Sequence, residues 1–293
     1  MKQWSWSRSW TWARQEIAGL DAEVDHHRIV QLSFSTRYGT PIFLHALFSV
    51  AFVHNVGMPA MAKILYRDGR GPIVRDTRRR NFDSLSFFGE LYRHGDGPET
   101  RAIAQHLVRV HSNFPIDNAM SLYTLSTLCC LPERFSERYL GRHGISAKEN
   151  RAQFRFWKQI GGLMQIRDIP DTPDALLDWM LAFERREMRP SMECSRITAA
   201  LAQEWASYWL PRPLQPLGRG VFYSLIDPEL RERLQLPRPN GFTRALTGLL
   251  VNLFFQGKRL LPDPAERHFA DYFRQGARKS LGGDLLNPPE STR

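Results

Sequence analysis

The chain has 293 residues, 42% of them hydrophobic and 24% charged, a globular composition that excludes disorder, collagen and a coiled coil and leaves room for a sizeable core. The formal charge of +10 suits acidic partners, but 34 of the 40 basic residues are arginines scattered along the whole chain, without a basic stripe interleaved with stacking aromatics. No nucleic-acid partner is expected from that distribution. The three cysteines, Cys129, Cys130 and Cys194, cannot build a disulfide framework or a four-cysteine zinc site, and they fit a reducing compartment.

Residues 1–14 read MKQWSWSRSWTWAR, with Trp4, Trp6, Trp10 and Trp12 on even positions. Serine and arginine interrupt the stretch throughout, so it is not an export signal, and a cytoplasmic location is expected. The strip reads as an extension docked on the body or on another subunit; adsorption to a membrane surface is the other reading. Asp21 is expected to cap a short helix through His27 to Phe34, and Pro41 to open an apolar helix towards Asn55. His45, His54, Asn55, Gly57 and Pro59 interrupt the apolar run from Pro41 to Met61, which predicts a buried helix and no integral membrane span.

Arg67-Asp-Gly-Arg-Gly-Pro72 reads as a turn, Thr77 to about Arg93 as a helix, and His94-Gly-Asp-Gly-Pro98 as its breaker. Helical periodicity then returns over Glu99–Ser112, Asn118–Cys130, Pro132–Leu140, Ser146–Met164, Pro173–Glu187, Ser195–Trp209, Asp227–Leu234, Thr243–Phe255 and Asp263–Leu281. Strand-like alternation is almost absent. The expected architecture is all-α: a single globular domain of roughly ten helices at 15–282, preceded by the tryptophan-rich extension (1–14) and followed by a flexible tail (283–293).

In the segment ETRAIAQHLVRVH, the apolar stripe Ile103, Ala104, Leu107, Val108 has His111 as its next member, so a histidine is expected where the core should be. His106 lies about 140° away around the helix and cannot share its task. The plainer account of His111 is a core histidine bonded to a carbonyl. Upstream, six arginines occur between Arg67 and Arg80, and Arg80, Asp83, Ser84 and Phe87 fall at i, i+3, i+4 and i+7, on one helix face. An exposed salt-bridged face is the plain reading of such a run, but Phe82, Leu85, Phe88 and Leu91 draw the helix into the core, where arginines need anionic partners. Heme meets both demands, an iron seeking one axial imidazole and two propionates seeking arginines, and the expected fold therefore encloses a heme pocket.

The runs GRGPIVRDTRRRNFDSLSFFGELYRHG (69–95), LVRVHSNFPIDNAMSLYTLSTLCCLPERF (107–135), FRFWKQIGGLMQIRDIPDT (154–172) and WMLAFERR (179–186) resemble the MpaB-type oxygenase family, which also includes rubber oxygenase, the latex-clearing protein. The specific elements are Arg79-Arg80 followed by Ser84 and Phe87, the Arg-x-His of Arg109 and His111, and the helix at Tyr123. The resemblance covers about residues 17 to 275. It implies an all-helical protein binding one heme b, with O2 as co-substrate and an apolar small molecule, isoprenoid or another natural product, as substrate. Carried over, His111 is the axial iron ligand; Arg79, Arg80 and Arg109 hold the cofactor; Arg80, Asp83 and Ser84 line the reacting side. The rubber-oxygenase distal lysine has no counterpart here, since Arg80 or Asn81 occupies its neighbourhood, and Leu125 stands where many bacterial relatives have a histidine. Competing functions are peroxidase-like chemistry, a non-catalytic heme-binding or sensing protein, and a heme-free helical lipid carrier. Peripheral membrane contact and the oligomeric state stay open.

His26, His27, His45 and His54 read as capping, surface, core or rim residues rather than ligands. Tyr123, Thr124, Ser126 and Thr127 are candidates for pocket lining, the Arg167-Asp168-Ile-Pro170 turn is structural, and Arg138 is expected on the surface of a charge-rich helix.

Overall fold

A computed structural model describes residues 9–140 and 144–279. The expected extension lies partly outside these, as do residues 283–293. The described residues form fifteen α-helices and no strand: α1 (Trp12–Gly19), α2 (His26–Val30), α3 (Pro41–Val56), α4 (Pro59–Tyr66), α5 (Pro72–Arg75), α6 (Thr77–His94), α7 (Pro98–His111), α8 (Asn118–Leu140), α9 (Ala147–Leu163), α10 (Pro173–Glu187), α11 (Met192–Trp209), α12 (Gln215–Leu225), α13 (Pro228–Arg233), α14 (Gly241–Leu260) and α15 (Phe269–Lys279). A π-helical segment, Gln31–Arg37, continues α2, and a 3-10 turn, Arg212–Leu214, precedes α12.

The starts of these helices follow local chemistry. Proline occupies the first turn of α3, α4, α5, α7, α10 and α13, where its missing N–H costs nothing. The side chains of Asp76, Thr172, Ser191, Asp227 and Asn240 accept the orphan N–H groups of α6, α10, α11, α13 and α14. Ser146 and Glu149 form a reciprocal capping box on α9. Arg67, Asp68 and Gly69 all take positive φ (49°, 53° and 78°), which makes the expected 67–72 turn, and Gly95 at φ 57° breaks the chain after α6.

Several boundaries differ from expectation. Asp21 does not cap a helix; its carboxylate accepts the N–H of Glu23, while α2 begins at His26 and passes directly into the π-helical segment. Pro132 lies inside α8, which runs unbroken where two helices are expected; packing of Leu131, Ser136 and Leu140 carries the helix across the lost hydrogen bond. Asp263 starts no helix. It is buried, receives the N–H and the guanidinium of Arg14 (3.0 and 3.1 Å), and lies 3.6 Å from Arg37, while the Trp12 indole donates to the Pro264 carbonyl at 3.1 Å. Residues 10–14 are thereby joined to the stretch after α14.

Ten of the sixteen residues of α3 are buried, and α4, α6, α8, α11 and α12 pack around it. The polar members of the π-helical segment are buried beside it: Ser33 and Arg37 both donate to Glu149 of α9, at 2.6 and 2.9 Å. Among the described residues no single helix is long and apolar enough to cross a membrane; 26–37 and 41–56 qualify only together, and they are bent by 113°. All three cysteines are free and buried.

A close backbone approach joins α6 to α15. A Cβ on Gly89 would lie 2.5 Å from the Ala270 Cβ and 2.8 Å from its Cα, and Glu90 next to it binds Arg274 at 2.8 Å. Alanine has the higher helix propensity by about 1 kcal/mol, but overpacking against backbone costs about 1–3 kcal/mol. Gly89→Ala should therefore lower stability in urea unfolding; an unchanged or raised midpoint would show that α15 moves away freely.

Candidate functional site

Helices α6 and α7 meet at the turn Gly95–Gly97 and bring His111 within reach of the Arg80 charge. Capped by Asp76, α6 directs Arg80 across the apolar face of α3, where its guanidinium stacks 4.2 Å from the Phe52 ring centroid. Arg80 also donates to the Ser84 hydroxyl at 2.6 Å, and that hydroxyl donates back to the Arg80 carbonyl at 3.0 Å. Burial lowers the Arg80 pKa to about 10, with the Asp83 charge opposing the shift. Asp83 lies 3.8 Å from the Arg79 guanidinium. Arg79, Arg80, Asp83 and Ser84 thus form one connected polar group on α6. Asn81, the other residue in the position of the missing lysine, turns the opposite way into the core towards His45.

His111 ends α7. Contrary to expectation it does not point into packed core: the ring is exposed, and of the expected stripe only Ala104 is buried, while Ile103, Leu107 and Val108 are half-buried. The helix is seated through Thr100 and Ala104, which rotates the remainder of the stripe towards an open side. Protein nevertheless surrounds the imidazole closely enough that burial lowers its pKa, with the Arg80 charge adding to the effect. The ring is therefore neutral near pH 7. Among the described residues neither ring nitrogen has a hydrogen-bond partner, so the expected bond to a carbonyl is not formed. His106 is half-buried on another side of α7. Arg109 is exposed and departs from α7 about 160° around the axis from His111, so the two side chains do not face a common point.

Two buried polar clusters on α3 escape sequence reasoning. His54 Nδ1 lies 3.1 Å from Glu184 Oε1 of α10, and the Tyr123 hydroxyl of α8 donates to the same oxygen at 2.8 Å. Burial works to raise the Glu184 pKa, but the bonds to His54 and Tyr123 and the nearby Arg134 charge outweigh it, and the net shift is downward. On the opposite side of α3, His45 Nε2 lies 2.9 Å from Glu204 of α11, and its Nδ1 accepts the Trp209 indole N–H at 3.1 Å. His45 and His54 are thus core residues, as expected. The partners lie 130 and 159 positions away along the chain, which is why only the histidines' place on an apolar helix hinted at them. Beside His54 a small cavity of about 30 Å³ is lined by Leu131, Arg134, Phe135 and Asp227.

Tyr123, Ser126 and Thr127 are buried; Thr124 is half-buried and donates to Asn55 at 2.7 Å. His26 and His27 open α2, and the His27 ring stacks on Phe156. Arg138 is exposed on α8, as expected, but its guanidinium also donates to the carbonyls of Ser224, Leu225 and Ile226, closing the end of α12. Among the described residues no three His, Cys, Asp or Glu side chains cluster as a metal site.

The model of the catalytic domain shared by the ER-bound oxygenases mpaB/B′ and rubber oxygenase matches residues 42–254, from the start of α3 to near the end of α14. The chain belongs to this oxygenase family, as the motifs around Arg79-Arg80 and His111 imply. A search among curated proteins found no match.

The Glu184 cluster makes a pH-dependent prediction. A carboxylate whose pKa is lowered by folding contributes stability that is fully present above its unfolded value and lost as pH falls through the folded one. The difference in unfolding free energy between wild type and Glu184→Gln should be largest near neutrality and shrink on acidification below the ordinary carboxylate range. His54→Ala, which leaves Glu184 buried with one partner fewer, should cost about 3–5 kcal/mol at pH 7. Urea titrations at neutral and acid pH check both.

Proposed function

We propose that this protein is a heme-b-dependent oxygenase acting on an apolar small molecule, with His111 as the single axial ligand of the iron. The observation that carries the reading is the pairing of a neutral, solvent-reachable imidazole that has no hydrogen-bond partner with a desolvated arginine on the adjoining helix. An imidazole must be neutral to bind iron, and a buried guanidinium favours an anion such as a propionate. Heme, when bound, supplies the activation of O2. Arg80 and Arg79 would hold propionates, and Asp83, between them, would keep their charges in register. Ser84, fixed by Arg80, presents a hydroxyl that can donate or accept a hydrogen bond beside the reacting side. Half-buried Ile103, Leu107 and Val108 supply an apolar wall that excludes water and suits an apolar substrate. Arg109, exposed and turned from His111, would serve a propionate only at the rim.

Arg80 remains protonated at neutral pH even with its lowered pKa and cannot be a neutral nitrogen ligand as a lysine can. On this face Arg80 would therefore hold an anion rather than ligate a metal.

The purified protein should show a Soret band, and pyridine extraction should identify heme b. His111→Ala should remove most of the heme while leaving the helical circular dichroism intact, because an exposed ring contributes little to the core. Full heme occupancy with an unmoved Soret band in that variant would reject His111 as the ligand, and no heme uptake by the wild type would favour a lipid carrier. Consumption of O2 with apolar candidates separates an enzyme from a sensor.

A second prediction concerns the arginines. Arg79→Ala and Arg80→Ala should each weaken heme retention, Arg80→Ala more strongly, since leaving one charge of a buried pair alone costs about 3–5 kcal/mol. Arg101, an exposed residue of α7, is the fitting control. Equal heme content in all three variants, read from the absorbance ratio of Soret band to protein, would remove the arginines from the site.

A further inference from the structure

The way Arg80 is held leaves part of it unused. Arg37, Arg67, Arg78, Arg138 and Arg186 also lie over aromatic rings, and each of them gives a guanidinium N–H to a carboxylate or a backbone carbonyl as well. Arg80 does neither. Its Nη1 donates to the Ser84 hydroxyl at 2.6 Å, and its Nε and Nη2 have no hydrogen-bond partner among the described residues. Asp83 reaches Arg80 by charge rather than by a hydrogen bond, with its carboxylate 3.8 Å from the Arg79 guanidinium.

The ring of Phe52 accounts for this. A guanidinium donates hydrogen bonds in its own plane and is attracted to an aromatic ring through its face. Phe52, 4.2 Å from the Arg80 carbon, therefore steadies the charge without consuming a donor, which a carboxylate in the same place would do. The ring is itself fixed from behind. Phe48, one turn earlier on α3, lies 6.2 Å from Phe52 and 5.6 Å from Phe88, which stands about two turns beyond Arg80 on α6. The helix that carries the arginine thus also sets the ring on which it rests. What remains is the edge of Nε and Nη2, two parallel N–H groups that match the two oxygens of a carboxylate.

We propose that Phe52 is a positioning residue, which fixes the plane of Arg80 so that its Nε/Nη2 edge takes one carboxylate through two parallel hydrogen bonds. Identifying that carboxylate as a heme propionate rests on the reading above; the edge and its ring do not. Nuclear magnetic resonance on the full chain, arginine-labelled and prepared without heme, tests them separately. The Arg80 side-chain signals, assigned by their loss in Arg80→Lys, should be displaced by the Phe52 ring current, and the Nε–H signal should move with sodium propionate but not with sodium chloride at equal ionic strength. Phe52→Leu should abolish the displacement and weaken the propionate response about tenfold, while Phe52→Tyr, which keeps the ring, should preserve both. Heme retention, read from the Soret band, should follow the same order, with Arg80→Lys as low as Phe52→Leu because an ammonium has no paired edge. Should Phe52→Leu fold poorly by circular dichroism, the ring-current displacement and the contrast of propionate with chloride in wild type still decide. The proposal is overturned if a folded Phe52→Leu answers propionate as wild type does, if chloride moves the signal equally, or if Phe52→Tyr loses as much as Phe52→Leu, which would reduce the ring to packing. A propionate response in a wild type that takes up no heme would uphold the carboxylate edge and reject heme as its occupant.

Discussion

Helix α3 carries a histidine on each of two opposite sides, and each meets a glutamate brought by another helix: His54 with Glu184 of α10, His45 with Glu204 of α11. A carboxylate inside an apolar core is costly unless hydrogen-bonded and paired. These pairs therefore admit few alternative arrangements of α10 and α11 against α3. Tyr123 joins α8 to the first pair, and Trp209, near the end of α11, closes the second. The apolar contacts of α3 supply the driving force for collapse, and the two polar pairs set the rotation and register in which it ends.

The same demand for partners sorts the histidines by task. Those at 26, 27, 45, 54 and 94 have ring partners in carboxylates, amides or carbonyls and are occupied in holding the fold. His111, like His106 and His268, has no ring hydrogen-bond partner among the described residues, and of these it is the one that lies where the Arg80 charge reaches it. Its exposure corrects the expectation of a core histidine and strengthens its candidacy as a ligand, because an imidazole committed to a buried carbonyl would have less freedom to bind iron. The arginines divide similarly. Arg14, Arg37 and Arg93 pair with acidic residues as structural ties, Arg138 closes a helix end, and Arg80 rests on an aromatic ring beside a hydroxyl.

Much of the fold was legible because its signals are local. Helical periodicity, prolines at helix starts, and the glycine turns at 67–72 and 94–98 placed most boundaries within a few residues, while the one cap expected, Asp21, caps no helix. The short helices α4, α5 and α12 were not legible, since few residues give a weak period and Gly-Pro and Pro-rich flanks read as turns. Packing hid the rest: the π-helical segment, whose Ser33 and Arg37 are held by Glu149 116 and 112 positions on, and the continuity of α8 through Pro132. In the candidate site, the grouping of Arg80, Asp83 and Ser84 follows from helix spacing alone. The exposure of His111 and the opposite direction of Arg109 do not, because they depend on which side of α7 seats against α6 and α9.

The excess positive charge is thus not one property of the chain. Part of it is internal: burial lowers the Arg80 pKa to about 10, still above neutrality, so the site keeps its cation. Retaining a desolvated cation is unfavourable unless an anion shares the space, and Asp83 is the carboxylate whose charge reaches both Arg79 and Arg80. A dianionic cofactor would reverse that balance, so ligand binding and local stability are coupled through the same arginines. Another part of the excess is external, on exposed residues such as Arg101, Arg185 and Arg244, where the charges remain hydrated and act over about a Debye length rather than through contact. Salt separates the two: it screens the external set strongly and the internal set little, so rising ionic strength should silence the surface arginines long before it loosens a ligand held by Arg80.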